Sequence, residues 1–219
     1  IPLRLVGSEM CIRDRCDSRH LSEVLRLFTV TALEIGEGQQ YDMEFENRND
    51  VKEEEYIEMI RLKTSVLLAC AMKIGAILAD APTEDVENLY KFGEQIGLAF
   101  QLQDDYLDVY GDPKVFGKKI GGDIICNKKT YMLINAFNKA NARQCKELEK
   151  WIGCENFNHE EKVAAVTELY NSIGVDKMAI ERINYYFDEA NKYIAAVNIP
   201  DERKAELLAY AQKMLHRKW

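Results

Sequence analysis

Residues 97–132 read GLAFQLQDDYLDVYGDPKVFGKKIGGDIICNKKTYM. Up to Tyr110 the run is helical in character, and at Gly111 it changes. At about 100° per residue, Asp104, Asp108, Gln101, Gly97 and Glu94 fall on one polar stripe with Asp105 at its edge. Leu98, Leu102, Tyr106 and Val109 form the adjoining apolar face. Like charges one turn apart repel by about 0.2–0.5 kcal/mol per pair. These aspartates also stand near a helix C-terminus, where the macrodipole disfavours anions. A bound divalent cation removes both penalties. Oxygen ligands at i and i+4, with no His or Cys beside them, suit Mg²⁺. A solvated acidic face is the plainer alternative.

Past Tyr110 the pattern breaks. The segment 111–127 holds four of the chain's twelve glycines together with Lys114, Lys118 and Lys119, and Lys128 and Lys129 follow it. A long irregular segment inside a compact domain is often functional.

Outward from there, helical periodicity dominates. Helices are expected over 21–44, 52–81, 84–110, 128–140, 143–152, 160–172, 177–197 and 201–217. No β-alternating run stands out, and prolines occur only at 2, 82, 113 and 200. Asp50 with Glu53 reads as an acidic capping box; Pro82-Thr83 and Pro200 read as helix starts. The fold class is therefore all-α, a large helical bundle.

The helix expected over 52–81 carries an anomaly. On a continuous wheel Glu54, Glu58, Arg61 and Ser65 form a solvent face, while Lys63 lies among Tyr56, Met59, Ile60, Leu67, Ile74 and Leu78. A lysine inside an apolar stripe needs an anionic partner or a wet cavity, unless it snorkels to solvent. In the preceding helix Gly38-Gln39-Gln40-Tyr41-Asp42 places Gln39 and Asp42 on one face. The acidic stripe, an inward lysine and a glycine–lysine loop together fit a Mg²⁺-complexed diphosphate.

Composition sets the limits. The chain has 219 residues, 47% hydrophobic and 30% charged, with a net charge of −8. That is ordinary for a globular chain and argues against a nucleic-acid-coating surface. Six scattered cysteines and three isolated histidines show no zinc spacing, and reduced thiols in a cytoplasm are the expectation. The longest apolar stretch, 66–79, is interrupted by Lys73, too short and too charged for a membrane span.

Residues 1–15, IPLRLVGSEMCIRDR, fit neither a helical nor a strand period, nor a signal peptide. Back-translated, 5–14 resemble a transposon-based sequencing adapter. The expectation is a non-native segment over 1–15 and a truncated helical domain over 16–219, its N-terminal helices missing.

The residues resemble a known family. Phe100-Gln101 followed by Asp104-Asp105-x-x-Asp108, a Gly-Lys and an Asn-Lys closely resembles the second aspartate-rich region of trans-isoprenyl diphosphate synthases (polyprenyl synthetases). Lys63-Thr64 resembles that family's Lys-Thr pair, and Gln39-x-x-Asp42 its Gly-Gln-x-x-Asp helix. The resemblance implies an all-α isoprenoid-synthase bundle around a central cavity, usually a homodimer. It implies Mg²⁺-dependent condensation of an allylic diphosphate with isopentenyl diphosphate through an allylic carbocation. Asp104, Asp105 and Asp108 would be metal ligands. Gln39, Asp42, Lys63, Thr64, Phe100, Gln101, Lys118 and Lys128 would bind substrate. Lys63, Thr64, Gln101 and Asp104 would be catalytic. The family's first aspartate-rich motif and its basic isopentenyl-binding segment are not in this sequence, so the chain by itself is expected to be inactive. Two rivals remain: a class I terpene cyclase and a non-catalytic subunit of a heteromeric prenyl diphosphate synthase.

Overall fold

The computed structural model describes residues 16–112, 120–154 and 156–215. The segment 1–15, Lys118 and the rest of 113–119 lie outside the described residues. Every regular element among those described is helical, as the sequence predicts. In chain order they are α1 (Ser18–Phe45), α2 (Glu53–Ile60), a π-helical turn (Arg61–Ser65), α3 (Val66–Leu78), α4 (Thr83–Tyr110), α5 (Gly122–Ile125), α6 (Tyr131–Lys139), α7 (Ala142–Ile152), α8 (His159–Ile173), α9 (Val175–Ala196) and α10 (Asp201–Leu215). No helix among them is long and apolar enough to cross a membrane.

Helix α4 is the axis of the molecule and packs most extensively on α9 and α3. Its apolar face behaves as the periodicity predicts. Leu98, Ala99, Leu102 and Val109 join Tyr56, Met59 and Ile60 of α2 and Tyr131 and Met132 of α6 in the largest core cluster. A second cluster sets Phe92 and Ile96 against Ala190 and Ile194 of α9.

Two sequence expectations fail at α2. Asp50 and Glu53 do not form the cap: Glu55 reaches back to the Lys52 N–H at 3.0 Å, and Glu53 pairs with Arg182 of α9 at 2.5 Å. The 52–81 helix is also not continuous. The Val66 N–H bonds the Arg61 carbonyl five residues back, so the π turn inserts one residue, about 100° of rotation. Ser65, on the expected solvent face, is fully buried, while Leu67 and Leu78, expected inside, are exposed.

The rotation brings the α3–α4 crossing very close. A Cβ at Gly97 would lie 2.5 Å from Ser65 Cα, so glycine is what permits the approach. Gly38 does the same between α1 and the π turn, where a Cβ would lie 2.8 Å from Lys63 Cα. Helix α1 buries only Val24, Thr31, Gly38 and Phe45, leaving Val30, Leu33, Tyr41 and Met43 exposed.

Helix α6 begins at Tyr131, not at the expected 128. Asn127 takes a left-handed conformation, φ 53°, and Thr130 is extended, so the chain reverses before the helix can start. The four-residue α5 was not visible in the periodicity; it follows Gly121, whose φ of 83° is the left-handed region that glycine adopts freely.

Candidate active site

The last two turns of α4 carry the three aspartates, and the structure sends them in different directions. Asp104 and Asp108 are half-buried, whereas Asp105 is 3% exposed. Asp105 accepts hydrogen bonds from the Tyr56 hydroxyl, from the Tyr131 N–H at 3.4 Å and from the Gln101 amide at 3.5 Å. Burial pushes its carboxyl up to about 7, and the Tyr56 bond pulls the other way. Tyr56 is buried against it, and that burial and the facing carboxyl hold the phenol well above its ordinary value. Asp105 thus ties α4 to α2 and to the start of α6.

Asp108 anchors the returning loop. Its carboxylate accepts the Asp123 N–H at 2.9 Å, and its carbonyl accepts the Gly121 N–H at 2.6 Å. This fold-back makes Asp123 a fourth acidic group at the site, one that sequence reasoning missed. Its only sequence signal is a carboxylate directly after the Gly121-Gly122 pair. Burial raises the Asp123 carboxyl; Lys128 opposes that, and Asp108, Asp42 and Asp104 add to it. Lys128 stands 3.8 Å from Asp123. Burial alone would lower its ammonium, but Asp123, Asp105, Asp42 and Asp108 outweigh it and hold the group above the ordinary lysine value.

From the other side come α1 and the π turn. Lys63 Nζ donates to Asp42 at 2.6 Å, which is the anionic partner its position demanded. Thr64, one residue on, donates to the Gln101 side chain at 3.2 Å, and Gln101 is the residue that also donates to Asp105. Gln39 is exposed on α1, and its side chain makes no hydrogen bond to another described residue. Phe100 is half-buried on α4. Glu94 shares the acidic stripe but is held by Lys91 at 2.8 Å and Arg61 at 3.4 Å, a packing role.

The donor chemistry fits a hard cation. Asp104, Asp108 and Asp123 offer oxygen only, and Asp104 and Asp108 both push the Asp123 carboxyl up while Lys128 opposes them. Among the described residues, no group of three or more His, Cys, Asp or Glu side chains is gathered to enclose a metal by itself. Mg²⁺ does not need one: it keeps several waters and takes one or two carboxylates plus substrate phosphate oxygens.

Comparison with known proteins gives concordant results. The family model described as polyprenyl synthetase matches residues 7–170. Over 163 residues the chain is 40% identical to a short chain isoprenyl diphosphate synthase of Methanothermobacter thermautotrophicus, covering 74% of this chain and 49% of that one. Over 189 residues it is 38% identical to a geranylgeranyl diphosphate synthase of Methanosarcina mazei, covering 86% and 56%. A crystal structure of a geranylgeranyl pyrophosphate synthase superposes with a TM-score of 0.90 at 38% identity, covering 98% of this chain and 66% of that one. The chain spans about half the length of the curated relatives it matches.

Proposed function

The chain belongs to the polyprenyl synthetase family, and on that premise we propose that it forms the second-aspartate-motif half of a Mg²⁺-dependent prenyltransferase. Its substrates are an allylic diphosphate and isopentenyl diphosphate, as the names of its relatives suggest. The observation that carries the reading is the convergence of Asp104, Asp108 and Asp123 with Lys128, facing the Lys63–Asp42 pair. A solvated acidic face would not draw a half-buried lysine in among four carboxylates and hold its ammonium above the ordinary value.

When bound, Mg²⁺ supplies positive charge to the departing diphosphate oxygens. Asp104 and Asp108 would hold it, with Asp123 beside them. Lys63 and Lys128 bind the phosphate oxygens that remain, the charge-assisted contact that lysines make as point charges. Lys118 belongs to the same proposed set. The C1–O bond of the allylic substrate breaks and the electron pair leaves with diphosphate. The isopentenyl double bond then attacks the allylic carbon, and a proton is lost to the released diphosphate. Thr64 and Gln101 already hold each other, so their dipoles are fixed beside the developing cation. Preorganised dipoles of this kind cost no reorganisation during reaction. Asp105, buried and bonded on three sides, serves better as the strut that aims Asp104 and Asp108 than as a ligand itself. We place the protein in the cytoplasm as a homodimer.

The test is transfer of labelled isopentenyl units by the full-length protein, with and without Mg²⁺ and with Asp104→Asn. Mg²⁺-dependent product lost in the variant supports the reading. Transfer by the variant near the unsubstituted rate would refute it, and no transfer by either protein would favour a non-catalytic subunit.

A further inference from the structure

Lys162, on α8, is 1% exposed and belongs to no motif. Its hydrogen-bond and ring partners among the described residues are all uncharged. The ammonium donates to Asn127 Oδ1 at 2.7 Å and to the Ile125 carbonyl at 3.4 Å, and lies 4.1 Å from the Phe157 ring centre. Burial pulls it below its ordinary value. A buried ammonium with no carboxylate beside it among the described residues is costly, so its retention asks for a reason.

The reason lies in what it grips. Asn127 is pinned at both ends: Oδ1 by Lys162, and Nδ2 by donation to the Ile152 carbonyl at 3.1 Å. Its backbone has φ 53°, which asparagine tolerates better than most residues. The gripped positions, Ile125 and Asn127, fall between Asp123 and Lys128. The Lys128 N–H in turn bonds the Asp123 carbonyl at 2.9 Å, closing the turn on itself. The space enclosed by Lys162, Asn127, Asp123 and Lys128 is only about 10 Å³, room for one water at most. Lys162 therefore has no access to a ligand of its own.

We propose that Lys162 is a positioning residue: from behind the site it holds the 123–128 turn so that Asp123 and Lys128 meet a Mg²⁺–diphosphate together. This rests on the functional reading above, and it assigns a role that the acidic motif does not contain.

Two measurements on the chain as it stands test it. The first is hydrogen exchange of residues 120–130 in Lys162→Met, a change that keeps length and removes charge. Protection should fall there and hold in α4. The second is calorimetric titration with inorganic diphosphate in Mg²⁺. The half-saturating concentration should rise about tenfold, the scale of one hydrogen bond to a charged group. Asn127→Gly permits the same backbone and cuts the same grip, so it should act alike. The double variant should be no worse than either single one. Unchanged exchange and unchanged affinity in both single variants would overturn the proposal. Absence of binding by the unsubstituted chain would instead sink the functional reading, and the exchange result alone would then decide the grip.

Discussion

Lys63 Nζ and Asp42 Oδ2 stand 2.6 Å apart, joining the π turn to α1. Both side chains keep contact with water, at 32% and 18% exposure, so the pair is poised rather than sealed. An incoming diphosphate competes with Asp42 for the lysine. Lys63→Met should therefore lower diphosphate affinity by about tenfold or more. Unfolding free energy should change by no more than about 1 kcal/mol, the scale of a pair in contact with solvent. Urea unfolding and calorimetry on the same sample separate the two effects.

The glycines of α1 give opposite expectations two residues apart. A Cβ at Gly38 would fall against Lys63 backbone atoms, which have no flexible end to swing away. Gly38→Ala should cost about 1–3 kcal/mol and displace Lys63. A Cβ at Gly36 would meet nothing within 4 Å, so Gly36→Ala should stabilise the chain by about 0.5–1 kcal/mol through helix propensity. Equal effects in thermal unfolding would contradict the α1 placement.

Tyr56→Phe removes one donor to Asp105 and changes little else in the core. The Asp105 carboxyl then keeps only the bonds from Tyr131 and Gln101. A loss of about 1–3 kcal/mol is expected, the cost of a buried acceptor short of a partner. Equilibrium denaturation checks it; a change under about 0.5 kcal/mol, the lower edge of a hydrogen bond's net worth, would mean that the strut is not formed.

Lys162 predicts a pH dependence with a definite sign. Burial holds its folded value below the ordinary 10.5, so between the two the unfolded chain binds more proton than the folded one. Stability contributed by this residue therefore rises with pH in that window. The difference in unfolding free energy between the unsubstituted chain and Lys162→Met should move in favour of lysine as pH climbs towards 10.5. The Cys154 and Cys126 thiols also act on the ammonium, so both proteins are compared with those residues changed to Ser. A difference independent of pH would contradict the burial.

What was legible in the sequence is what is local to a long helix. The split of α4 into apolar and acidic faces follows from period alone, whereas the stripe around Lys63 holds only on its N-terminal side, where Tyr56, Met59 and Ile60 are buried and Leu67 and Leu78 are not. The π turn does not follow from period: RLKTS contains neither Gly nor Pro to mark a break, and only the close approach at Gly97 and Gly38 shows why an extra residue is accommodated. Asp123 was hidden because its neighbour Asp108 lies across a fold-back whose far end is a left-handed glycine, Gly121. Lys162, in the run His159-Glu160-Glu161-Lys162, reads as a solvent-facing residue until the 120–130 turn is seen to cover it.

The most direct test titrates inorganic diphosphate into this chain by calorimetry, with Mg²⁺ and with a chelator, for the unsubstituted protein and for Asp104→Asn. The expected result is saturable binding that needs Mg²⁺ and is lost in the variant, while circular dichroism shows the helices intact. Binding of equal strength with the chelator present, or binding untouched by Asp104→Asn, would contradict a metal–diphosphate site at the end of α4.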